Sequence, residues 1–218
     1  MNSGQIMLYF APFALLALSA IVIRLQKKEW YFAFKPLPMI WILGFYGLHL
    51  HGLESISILQ YWILAGVFFG LLGDIFLLYK KSIIPGFVFF LLGHLLYLLG
   101  FFRGNIGLPV HFWPLVFIPA LAVPLWMHKH THTPRYRPLI WVYCLFEGSM
   151  LFLAMNLDYA RGVFPFLTIG AALFGLSDVF WALNRMVREF RSAGLFVLST
   201  YYTGQALIVF SAMLAPGG

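Results

Sequence analysis

Cysteine and negative charge are both scarce in this chain. The single cysteine, Cys144, excludes an intrachain disulfide and any cysteine-based metal cluster, and its apolar surroundings suit a packing role. Only 10% of the 218 residues are charged, and seven of those are acidic. No G-x-S-x-G elbow, H-E-x-x-H helix or Walker loop occurs, so the sequence offers no serine nucleophile, catalytic zinc helix or phosphate-cradling loop, and it implies no cofactor. Nor do the 14 Lys and Arg build a basic face: they fall singly or in small groups between apolar runs, which argues against nucleic acid as a partner.

What the chain has instead is apolar bulk. Hydrophobic residues make up 62% of it and the mean hydropathy is +0.88, more apolar surface than a water-soluble domain of this size can cover. A helix that crosses lipid needs roughly 20 mostly apolar residues. Charged and Pro/Gly breaks then predict eight spans, near 6–23, 36–53, 58–79, 83–102, 109–127, 138–157, 162–184 and 193–214. The expected fold is an all-α polytopic membrane protein, residues 1–218 forming one integral membrane domain whose solvent and partner is the bilayer. The first span lacks a preceding positive charge and a following cleavage site, so it is expected to be retained.

Loop charges orient this arrangement. Twelve basic residues fall in the odd-numbered loops, and only Arg103 and Arg161 lie in the even ones. The basic side is the cytoplasmic side, which predicts that both termini lie outside the cytoplasm, with an inner (cytoplasmic) membrane as the expected location. The stretch His128-Lys129-His130-Thr131-His132 belongs to one basic loop; it has no acidic or thiol ligand nearby, so anionic lipid explains it better than a metal.

The two halves of the chain also resemble each other. Lys35-Pro36-Leu37 opens the second span and Arg137-Pro138-Leu139 the sixth, while FFGLLGDIF in the third span matches LFGLSDVF in the seventh. This aligns Asp74 with Asp178, 39 residues after Lys35 and 41 after Arg137 respectively. The pattern predicts a parallel internal repeat of two four-helix halves, 1–105 and 106–218, related by an axis along the membrane normal.

Carboxylates inside lipid cost roughly 2.5–3.5 kcal/mol each on insertion scales, so Asp74 and Asp178 require a reason. One reading is a structural ion pair with Lys35, Arg137 or Arg185; the other is a shared functional cavity, favoured by their equal depth. His94, on the helix after Asp74, either orients a carboxylate and shuttles a proton or bonds across helices. Glu147 lies deep in the sixth span, as a buried acid or a helix-bridging hydrogen bond. Tyr201, Tyr202 and Gln205 share a helical face suited to a headgroup or water, although tyrosines also anchor at interfaces. Asn184 lies six residues beyond Asp178 and lines the same expected mouth.

Five segments taken in order, KPL at 35–37, LLGDIFLL, LLGHLLYLLGF, LFGLSDVFWALNR and YYTGQALI, resemble the YhhN-type lysoplasmalogenase family along nearly the whole chain. The resemblance implies an eight-helix membrane hydrolase that cleaves the vinyl ether bond of lysoplasmalogens, releasing a fatty aldehyde and glycerophospho-ethanolamine or -choline. By motif, the family's aspartates fall on Asp74 and Asp178. Where the family often has Ala before its motif His and Gln, this chain has Gly93 and Gly204. The chemistry so implied needs one protonated carboxylic acid and one ionised carboxylate. Asp74 and Asp178 are the candidate pair, with His94 as the third catalytic candidate. Tyr201, Tyr202, Gln205, Glu147 and Asn184 are candidates for contact with the lysophospholipid, and Lys35 or Arg185 for its phosphate. A proton-coupled transporter would also place acids at matching depths, but it would show matching broken helices. Pro109, Pro114, Pro119 and Pro124 crowd the fifth span, whereas the first, its repeat partner, holds only Pro12.

Overall fold

The computed structural model describes residues 3–104, 113–161 and 165–215; the expected starts of the fifth and seventh spans, with Pro109 and the junction between the repeat halves, lie outside them. The described residues are helical, without strands. In chain order the helices are α1 (Ser3–Leu25), α2 (Tyr31–Phe34), α3 (Leu37–His51), α4 (Ile58–Phe76), α5 (Ile83–Gly104), α6 (Trp113–His130), α7 (Arg137–Arg161), α8 (Phe166–Ala182) and α9 (Ala193–Met213). Each of the eight expected segments therefore contains one long helix.

Five stretches are long and apolar enough to cross a membrane: Ile58–Phe76, Ile83–Gly104, Pro134–Arg161, Phe166–Val187 and Ala193–Met213. The other three long helices are α1, which includes the apolar stretch Phe10–Leu25, the 15-residue α3, and α6 with Pro119 and Pro124 inside it. Outward faces carry Leu15, Leu18 and Val22 on α1 and Ile118, Leu121 and Leu125 on α6, all exposed. Rows of bare aliphatic side chains like these belong against lipid tails, and the chain is an integral membrane protein.

Lipid offers no hydrophobic drive to push helices together, so association depends on close packing and internal hydrogen bonds. The closest pairs are α4 with α5 and α8 with α9. Glycines explain why. At Gly204 a Cβ would lie 2.8 Å from the Phe174 backbone nitrogen and 2.9 Å from the Gly170 carbonyl, so α9 touches the main chain of α8 there. On α4, Gly66 and Gly73 receive the rings of Tyr97 and Phe90 from α5 in the same way. Around these pairs, α9 also packs on α1, α3 and α4, and α7 joins α5 to α8 with α6 on its outer side.

Polar clamps fix the ends. Ser57 and Gln60 cap the start of α4 reciprocally, and the buried Gln60 side chain donates to Ala212 O at 3.1 Å, tying α4 to the end of α9. Asp158 on α7 accepts from the Thr168 backbone N–H at 2.7 Å and its hydroxyl at 2.8 Å, satisfying an orphan donor in the first turn of α8. At its other end α8 loosens into a π-helical turn, Leu183–Val187, which carries Asn184 and Arg185. Asn184, which the sequence places near the end of a span, sits in this widened turn at the end of the apolar stretch Phe166–Val187, a form common where helices serve a site.

Gly204→Ala should lower stability by about 1–3 kcal/mol, because only backbone faces the new methyl. Gly47→Ala meets nothing within 4 Å and should be neutral or mildly stabilising through helix propensity. Thermal midpoints of the two variants in detergent check the contrast.

Candidate active site

Polar residues that the sequence scatters over seven helices and loops meet around one cavity of about 1630 Å³. Its wall includes Lys35, Asp74, Glu147, Asp178, Asn184, Arg185 and Tyr201; His94, Tyr202 and Gln205 stand behind that wall. Arg24, Lys27, Lys28 and Arg191 also border it, so the loops after α1 and before α9 bring cations to one end, while Leu139, Leu151 and Leu176 line it with hydrocarbon.

Asp74 lies in the last turn of α4, where carbonyls lack intrahelical partners and the helix dipole disfavours negative charge. Lys35 answers both needs. Its ammonium lies 3.2 Å from Asp74 Oδ1 and donates to the Asp74 backbone oxygen at 3.2 Å. Adjacent tyrosines on α9 grip this pair from both sides: Tyr201 donates to Asp74 Oδ2 at 2.8 Å, and Tyr202 to the Lys35 carbonyl at 2.8 Å. At 3% and 1% exposure, these tyrosines lie inside the bundle and are not interface anchors. The ion pair is likewise almost wholly desolvated, which makes either partner costly to leave alone.

Asp178 has different company. Its Oδ2 is 3.4 Å from His94 Nε2, and the same nitrogen makes a short contact with Glu147 Oε1. His94 Nδ1 donates to the Phe90 carbonyl at 2.7 Å, which fixes the tautomer because a carbonyl can only accept. Nε2 can therefore meet Glu147 only if one more proton lies between them, on the imidazole or on the acid. A proton shared by His94 and Glu147 would lie beside the Asp178 carboxylate. His94 is fully buried, stacked on Phe174 with ring centroids 4.5 Å apart and edged by Tyr143 at 5.6 Å. Gly175 on α8 makes room for the Glu147 carboxylate, which a Cβ there would meet at 2.6 Å.

One ligand atom from each of His94, Glu147 and Asp178 lies within 4.8 Å of the others, a donor set that a divalent cation could also use. Such a cation would compete with a proton for the same lone pairs. The histidines of the basic loop do not assemble: His130 bonds to Trp126 O at 2.7 Å and His128 accepts from Trp141 Nε1 at 3.4 Å.

Of the remaining expected residues, Gln205 accepts from Tyr97 at 2.5 Å and Asn184 accepts from the Phe190 N–H at 3.0 Å. Sequence reasoning did not single out Tyr97 or Tyr143. Both carried a signal, since Tyr97 follows His94 by three residues and Tyr143 precedes Glu147 by four, each on the same helical face. Arg137, which the sequence aligns with Lys35, buries its Nε without a hydrogen-bond partner.

Lys35→Met should destabilise the protein by about 3–5 kcal/mol by stranding Asp74, and the double variant Lys35→Met/Asp74→Leu should lose less than the single one. Thermal unfolding of the three proteins in detergent checks this.

No curated protein and no solved structure matches this chain at a significant level. The match to a known family comes from a family model that covers residues 30–212, from just before α2 almost to the end of α9, and so takes in every residue of the cavity's two polar clusters. The chain belongs to the YhhN family.

Proposed function

We propose that this protein is a lysoplasmalogenase: a membrane hydrolase that cleaves the vinyl ether bond of 1-alkenyl-glycerophosphoethanolamine or -choline, giving a fatty aldehyde and the glycerophospho-alcohol. Family membership supports the reaction class. The observation that carries the reading is the convergence of His94, Glu147 and Asp178, which in this reading share a transferable proton, at a cavity that also contains the separate carboxylate Asp74.

Enol ether hydrolysis is limited by proton transfer to carbon. The acid at His94, Glu147 and Asp178 gives its proton to the outer vinyl carbon, and the electron pair of the double bond forms the new C–H bond. The carbon next to oxygen becomes an oxocarbenium ion. Asp74, fixed by Lys35 and Tyr201, faces that positive charge and stabilises it electrostatically. Water adds to the cationic carbon, its proton returns to the vacated carboxylate, and the hemiacetal collapses to aldehyde and alcohol. Two acids with different neighbours can hold these different roles at one pH.

The cavity suits a lipid with one tail. Its volume exceeds the 300–1,000 Å³ typical of small-molecule sites, its hydrocarbon wall accepts a chain, and Arg24, Arg185 and Arg191 offer guanidinium groups to a phosphate. In this reading all eight long helices cross the membrane, the cationic mouth faces the cytoplasm by the excess of positive charge, and both termini lie outside. Asp74 and Asp178 occupy equivalent places in two parallel four-helix repeats.

Purified protein should release aldehyde from a lysoplasmalogen and none from its saturated ether analogue; release from neither would overturn the proposal. Glu147→Gln and Asp74→Asn should each lower kcat by about 10²–10⁴-fold, measured by aldehyde production. Dialysis against a chelator should leave turnover unchanged, and a loss reversed by zinc would instead assign the three-residue site to a metal ion.

A further inference from the structure

Gln205 lies in the middle of α9, fully buried. Its oxygen is taken by the Tyr97 hydroxyl at 2.5 Å, which sets the orientation of the amide, yet its Nε2 has no hydrogen-bond partner. A buried amide N–H left unpaired costs about 1–3 kcal/mol, so a donor aimed at a definite place calls for an acceptor there.

The place is defined by Gly70 on α4. A methyl group at this glycine would lie 3.5 Å from Tyr201 Oη, 3.6 Å from Gln205 Nε2 and 3.8 Å from Met39 Cε, with no other side chain or neighbouring helix closer. A methyl fits there in ordinary van der Waals contact, and two of its three nearest atoms are polar. Tyr201 already spends its proton on Asp74 Oδ2, so its oxygen has lone pairs to offer on this side. The glycine contacts at Gly66 and Gly73 differ, because neighbouring rings fill those positions at 2.3 Å and 2.5 Å.

We propose that one water molecule binds between Gly70, Gln205 and Tyr201 and completes a relay, Tyr97–Gln205–water–Tyr201–Asp74, that positions the Asp74 carboxylate in the cavity. The water accepts from Gln205 Nε2 and donates to Tyr201 Oη, meeting the minimum of two polar partners for a buried water. Tyr97, Gln205 and Gly70 thereby act on Asp74 without touching substrate; they are positioning residues. The relay also gives the glycine at 70 a task beyond helix packing: it keeps room for the water. The catalytic part of this inference rests on the role proposed for Asp74, and the water itself does not.

Two measurements test it. The first is a structure of the purified protein at a resolution that shows ordered water: density bridging Gln205 Nε2 and Tyr201 Oη is expected in the native chain and absent in Gly70→Ala. An empty space in the native chain would overturn the proposal, whether or not the protein hydrolyses vinyl ethers. The second compares Gly70→Ala with Gly70→Ser. Alanine meets only ordinary contacts, so its thermal midpoint should stay near the native value. With the water expelled and Asp74 less well held, its kcat for vinyl ether hydrolysis should fall on the order of 10- to 100-fold at little-changed KM. Serine sets a hydroxyl where the water stood and should recover at least half of that loss on a logarithmic scale. Equal kcat values for the alanine and serine variants would overturn the relay. A native protein inactive on vinyl ethers would overturn the functional reading alone, leaving the density to decide the water site.

Discussion

Lipid tails accept no hydrogen bonds, and the interior of this protein is organised by that constraint. Each polar group placed within the spans must find its partner in another part of the same chain. Lys35 and Asp74 illustrate it most fully. The ammonium pairs with the carboxylate and caps the end of α4, Tyr201 donates to the carboxylate and Tyr202 to the Lys35 backbone carbonyl, and the result joins the approach to α3, the end of α4 and the middle of α9 at one point. Glycine contacts let those helices come close enough for such bonds to form.

The same constraint separates the two aspartates chemically. Asp74 meets the ammonium of Lys35, whereas Asp178 meets an imidazole that also touches a second acid, Glu147. The proposed enol ether hydrolysis would use a stabilising carboxylate and a proton donor, and different neighbours suit the two aspartates to different roles although their sequence settings are so alike. Lysophospholipid chemistry also needs an apolar wall beside a cationic mouth, and the cavity has both.

Much of this was legible in the residues, for identifiable reasons. Hydropathy and the charged breaks located the long helices because spanning segments must be apolar for their whole length, and the scarcity of intramembrane charge made Asp74, His94, Glu147 and Asp178 conspicuous. Pairing was less legible. Lys35, Arg137 and Arg185 were equal candidates as partners for the aspartates, and nothing in the spacing distinguished them. Glu147 was read as a buried acid, a helix-bridging hydrogen bond or a substrate contact, but its partner was not legible: it bonds to His94 across 53 residues of sequence. Tyr201 and Tyr202 looked compatible with interface anchoring, yet both are internal; the depth of a tyrosine along a helix does not reveal which way its ring points.

The sequence by itself therefore determined the solvent of the fold, the family, the helical segments and the small set of polar residues that cost free energy in lipid. Those properties are local or additive, set by composition, hydropathy and short motifs. Tertiary structure alone decided that Lys35 serves Asp74, that His94 gathers Glu147 and Asp178, and that Gln205 and Tyr201 come together beside Gly70. Such choices depend on which helix faces meet and how closely, and distances of 2.8–3.4 Å between groups far apart in the chain are fixed only when the whole bundle packs.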